Sequence, residues 1–148
     1  MTSVMKQTQW IDAAVFGLAG AGCGALILGG SGWGWQLTLA YGAACVLAAR
    51  LLWPWLPRGG RRTWPRAALA GAAVETVAHP LAFYLLICVY YAAGVRGSLG
   101  DPTLNPLQGL VAAFAYAAWS WLIAGWVTAS VGALVGLLLS ATRRRLPA

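Results

Sequence analysis

Charge is what this chain has least of: Asp, Glu, Lys and Arg together make up 9% of its 148 residues, against about a quarter of an ordinary soluble domain. That argues against a water-soluble fold. Its three cysteines, Cys23, Cys45 and Cys88, lie far apart in apolar runs with no CxxC pair. Neither a disulfide scaffold nor a zinc site is suggested, and they read as small apolar fillers. Nineteen glycines and seven prolines carry no collagen-like period, so fibrous and low-complexity readings fall away. The chain has no GxSxG, HExxH, Walker or dinucleotide fingerprint. It also has no visible internal repeat, so an inverted-repeat transporter within one chain is not supported.

Ten Lys and Arg against three Asp and Glu leave a net charge of +7. Nucleic-acid binding would need a solvated basic face on a soluble module, whereas the sequence between these charges is hydrocarbon-like; no nucleic-acid partner is expected.

What is present is long apolar runs. A membrane span needs about 20 mostly apolar residues, since each rises ~1.5 Å and the bilayer core is ~30 Å thick. Four stretches qualify: residues 10–28, 35–53, 67–95 and 107–140. Their length and Ala/Leu content predict helices, whose backbones satisfy their own hydrogen bonds in lipid, and no ~10-residue alternating segments point to a barrel. The reading is an all-α, polytopic integral membrane protein, one bundle of four transmembrane helices in a single domain over residues 1–148. Turns fall at Gly29–Gly32, at Pro54, Pro57, Gly59 and Gly60, and between Gly97 and Pro106. Thr63 or Trp64 with Pro65 marks the start of the third helix, and Asn105 with Pro106 that of the fourth. The fourth run is longer than one perpendicular helix needs; either it tilts and projects, or residues 106–114 lie at the interface.

Eight basic residues, Lys6, Arg58, Arg61, Arg62, Arg66, Arg143, Arg144 and Arg145, fall on one side of this topology. The positive-inside rule then places both termini in the cytoplasm of a bacterial-type inner membrane, with the arginines touching anionic headgroups. Trp10, Trp53, Trp55 and Trp64 would mark the cytoplasmic interface and Trp33, Trp35, Tyr90 and Tyr91 the outer one. A cleaved signal peptide is the competing reading of the first run; Asp12 and the run's length favour a retained span. Asp12 itself reads as a first-turn carboxylate near a helix N-terminus, with a salt bridge to Arg50 or Arg66 as the alternative.

Glu75 is the acidic residue deep in a span, and His79, the single histidine, follows four residues later on the same helix face. Counted from Arg66 they lie about 13 and 19 Å along the axis. Pro80 leaves the carbonyl of Thr76 without its usual partner, predicting a kink. Glu75, Thr76, His79 and that carbonyl thus form an intramembrane polar patch, a functional-site candidate by position. One reading is a protonatable pair that handles protons; the other is a neutralised carboxyl that glues helices, with Arg50 as its basic partner or snorkelling outward. His79 could supply a single axial ligand to a haem or chlorophyll-type macrocycle; no other cofactor or metal is expected.

Tyr116, Trp119, Ile123 and Trp126 follow three- and four-residue spacings, a stripe suited to packing or to a lipidic ligand. Gly20 and Gly24, and Gly132 and Gly136, form GxxxG steps for close helix approach. The shortage of reactive side chains favours a non-enzymatic role. The first expectation is a subunit or assembly partner of a larger envelope complex, binding other membrane subunits or itself. A small oligomeric proton-linked transporter or channel using Glu75 and His79 comes second, and a lipid- or pigment-binding protein third.

Overall fold

The structure is a computed structural model that describes residues 3–28, 34–53, 63–97 and 100–145. The first two turns, with Trp33, Trp55, Arg58, Arg61 and Arg62, lie outside the described residues, as do the side chains of Lys6, Arg144 and Arg145. The helices are α1 (Ser3–Leu28), α2 (Gly34–Leu52), α3 (Thr63–Ala92), α4 (Pro106–Ser120) and α5 (Trp126–Arg145), with a π-helical turn at Trp121–Gly125 joining the last two. Four helical stretches are long and apolar enough to cross a membrane: Gln7–Ile27, Gly34–Leu52, Trp64–Ala92 and Pro106–Arg143. The chain is an all-α, multi-pass membrane protein, with no strand among the described residues.

Local chemistry explains the helix ends. At α3, Gly94 adopts φ +64°, and the amides of Gly94 and Val95 donate to the carbonyls of Tyr91 and Tyr90. This paired closure uses a residue without Cβ to satisfy carbonyls the helix leaves open. At α4, the Asn105 side chain accepts the Gln108 amide at 2.9 Å, with Pro106 in the first turn, as its N-cap chemistry predicts. No break separates residues 106–114 from the remainder of the run, so the last pass is one helical rod. Likewise α3 continues through Pro80.

In the bundle, α1 packs on α2, α2 on α3, and α3 on both α4 and α5, while α5 also meets α1. Small residues set these distances. A Cβ on Gly20 would collide with Cys45 Sγ, and one on Gly24 would stand 3.2 Å from Thr38. On the other side Gly71 of α3 meets Gly132 and Gly136 of α5, backbone against backbone. Both predicted GxxxG steps therefore serve packing within the chain. The buried core they enclose is largely alanine, with Phe16, Tyr41, Cys45, Trp53 and Val74 filling the wider layers. In lipid such close backbone approach supplies the dispersion contacts that hold helices together.

Candidate functional site

Glu75 is fully buried at the junction of α2, α3 and α5. Its Oε2 accepts the Tyr41 hydroxyl at 2.9 Å and the Cys45 thiol at 3.4 Å, while Oε1 is buried without a hydrogen-bond partner. The expected link to Arg50 is not made. That guanidinium lies 4.2 Å over the Trp10 ring and donates to Gln9 Oε1 at 3.4 Å, because Arg50 sits in the last turn of α2 and extends outward along α1. Cys45 is likewise more than an apolar filler, since it is one of the carboxyl's two donors. Thr76 turns onto its own helix and donates to Ala72 O at 2.9 Å, so its hydroxyl does not join the patch.

His79 faces α4 and α5 together. Nδ1 lies 3.0 Å from Ser120 Oγ and Nε2 2.9 Å from Thr128 Oγ1, with the Tyr41 ring edge-on at 5.0 Å between centroids. The π turn makes this double contact possible. Two α-helical turns take about 7.2 residues, so positions eight apart normally diverge by roughly 80°. A π turn accommodates one extra residue, which leaves Ser120 and Thr128 about two turns apart in phase and on one side. Both imidazole nitrogens are thus occupied within the bundle. An axial bond from His79 to a macrocycle would require one hydroxyl to be released.

These groups border a cavity of about 240 Å³ lined by Gly24, Ile27, Leu37, Tyr41, His79, Ala82, Phe83, Trp119, Ser120, Ile123, Ala124 and Thr128. It lies where the ends of α1 and α2 stand opposite the π turn. Ile27, Trp119 and Ile123 at its rim are exposed, so the cavity opens sideways, toward the surroundings of the bundle. The aromatic stripe divides accordingly. Trp119 and Ile123 line the cavity; Tyr116 packs against Phe83 at 5.7 Å; Trp126 turns outward and donates to Ile123 O at 3.1 Å. The regular spacing fails beyond Ile123 because the π turn shifts the helical phase.

A second polar cluster ties the first span to the last. Asp12, 3% exposed, forms an ion pair with Arg143 and accepts the Trp53 indole N–H at 2.9 Å. It sits well inside α1, which begins at Ser3, so it is not a first-turn carboxylate, and its basic partner is neither Arg50 nor Arg66. Trp53 is buried against Phe16 at 5.2 Å between ring centroids, so its indole faces the inside of the bundle. Trp10, Trp35, Trp64 and Tyr91 lie exposed on the surface of the bundle. Comparison of the chain with known protein families, curated proteins and solved structures gives no match.

Proposed function

We propose that this protein binds a lipophilic small molecule within the membrane, in the cavity between α1/α2 and the π turn. The observation that carries this reading is the convergence of buried Tyr41, His79 and Thr128 with Ser120 on one wall of an otherwise apolar, laterally open cavity. An apolar pocket with a few converging polar groups is the usual form of a ligand site. Its volume, below the roughly 300–1,000 Å³ of enclosed drug-sized sites, suits a polar head and its first carbons, the remaining chain lying in lipid. The arginines of residues 58–66 and 143–145 support retention of both termini in the cytoplasm. Thr128 lies about 22 Å along the helix from Arg143 at ~1.5 Å per residue, which would put the cavity in the outer half of a bacterial-type inner membrane. A reporter fused after Arg145 tests the orientation.

The experiment is native mass spectrometry of protein extracted in mild detergent. The wild type should carry a co-purifying lipophilic molecule that is lost from Ile123→Trp, which fills the cavity mouth from an exposed position. An empty wild type overturns the reading. Assembly with a larger complex is a second proposal, supported by the first turns of α4, where Leu107, Leu110, Val111 and Phe114 are all exposed. The same spectrum would show a defined partner.

A further inference from the structure

We infer that this cavity selects its head group by charge and not by hydrogen-bonding sense, taking an uncharged alcohol or carbonyl alike and rejecting a carboxylate or an ammonium; the inference rests on the binding reading above. Its described lining holds no Asp, Glu, Lys or Arg. Glu75 stands behind Tyr41, whose hydroxyl donates to Oε2 at 2.9 Å. Arg50 is turned to Trp10 and Gln9, and Arg143 pairs with Asp12. His79 is 3% exposed, and its two nitrogens meet hydroxyls and no carboxylate. An imidazolium there would be buried without a counter-ion, so the ring is neutral. A charged head drawn into this space would lose its water and meet no opposite charge in return.

The wall meets either hydrogen-bonding sense because its protons have two arrangements. In one, Nε2–H donates to Thr128 Oγ1, Thr128 donates to Gly125 O at 3.2 Å and Ser120 donates to Nδ1. A hydroxyl has one donor and two acceptor positions, so Ser120 then offers a ligand O–H its lone pairs. In the other, Thr128 donates to Nε2 and Nδ1–H donates to Ser120 Oγ, which releases the Ser120 proton for a ligand carbonyl. No heavy atom moves between the two. The His79 contacts at 3.0 and 2.9 Å are kept in both, and the second gives up only the longer Thr128 contact with Gly125 O. A neutral head of either kind therefore leaves no buried polar atom of its own unpaired, whereas no rearrangement of these protons supplies a counter-charge.

The test titrates 2-undecanol, 2-undecanone, decanoate and undecylammonium, matched in heavy-atom count, into delipidated wild type and Ile123→Trp in detergent, with bound fractions read by native mass spectrometry. The carboxylate is compared with the neutral probes at about pH 9 and the ammonium at about pH 7, where each is ionised. Alcohol and ketone should each bind the wild type at least about tenfold more tightly than either ion, the order set by burying an unpaired charge, and none of the four should bind Ile123→Trp. An ion that binds the wild type as tightly as the neutral probes, but not the variant, overturns the charge selection and leaves the site standing. An alcohol or a ketone that binds no better than the ions overturns the indifference to hydrogen-bonding sense. Failure of all four probes to bind the wild type above the variant overturns the site as well.

Discussion

Glu75 occupies space that Gly132 leaves open: a Cβ on Gly132 would overlap both Glu75 Cγ and the Gly71 carbonyl oxygen. The polar residue at the centre of α3 and the closest helix approach in the bundle are one feature. The carboxyl is accommodated because the position facing it on α5 is glycine, and because Gly71, one turn earlier on α3, lets that helix come so near.

Gly132→Ala should therefore destabilise the protein beyond the usual overpacking cost of about 1–3 kcal/mol, because a carbonyl on α3 cannot rotate away as a side chain can. A Cβ on Gly22 would meet nothing within 4 Å, and Gly22→Ala should be neutral or slightly stabilising. Thermal unfolding in detergent, followed by circular dichroism, compares the two directly.

Tyr41→Phe removes the stronger of the two donors to Glu75 Oε2. It should cost about 1 kcal/mol, the net worth of one hydrogen bond, because the Cys45 thiol still donates to Oε2. Glu75→Gln keeps an acceptor for Tyr41 and should cost less. The double variant should lose less than the sum of the two, as residues sharing one hydrogen bond do. Denaturant titration of all three supplies the cycle.

Arg143→Ala leaves Asp12 buried without its cation. Breaking a buried ion pair from one side costs about 3–5 kcal/mol, and the lower end is expected here because Trp53 still donates to Asp12. Adding Asp12→Asn to Arg143→Ala should recover much of the loss. A double variant as unstable as Arg143→Ala alone would mean that packing, and not charge, holds α1 to α5.

Deletion of Leu122, an exposed residue of the π turn, should be tolerated. It removes the extra residue and restores a regular helix with Ser120 and Thr128 still about two turns apart. Deletion of Ala133 within α5 rotates the rest of that helix by about 100°, carries Gly136 away from α3 and should unfold the protein. Melting temperatures of the two deletions should differ sharply.

The four spans, the capped start of α4 and the burial of Glu75 and His79 are all legible in the sequence, because each depends on residues near one another in the chain. The partners of Glu75 are not. Tyr41 and Cys45 lie on another helix, and which face α2 presents is set where Gly17, Gly20 and Gly24 of α1 meet Val46, Cys45 and Thr38. Arg50 is the natural electrostatic partner for Glu75, yet the cation–aromatic contact with Trp10 lies within easier reach of a side chain at a helix end. The pairing of Asp12 with Arg143 joins opposite ends of the chain and has no local signal. The π turn is hidden because its residues, Trp121 to Gly125, are as apolar as a regular helix would be; Gly125, where a Cβ would meet the Trp121 ring at 2.7 Å, is the one available clue.

The unequal lengths of the spans have a consequence for the lipid around them. The stretch Gly34–Leu52 has 19 residues and Pro106–Arg143 has 38, or about 28 and 57 Å at ~1.5 Å each. A sheet of uniform thickness matches the first and falls well short of the second. The long rod meets that mismatch by tilting, by projecting its ends beyond the hydrocarbon or by drawing thicker lipid along its flank, and each route loads one side of the protein more than the other.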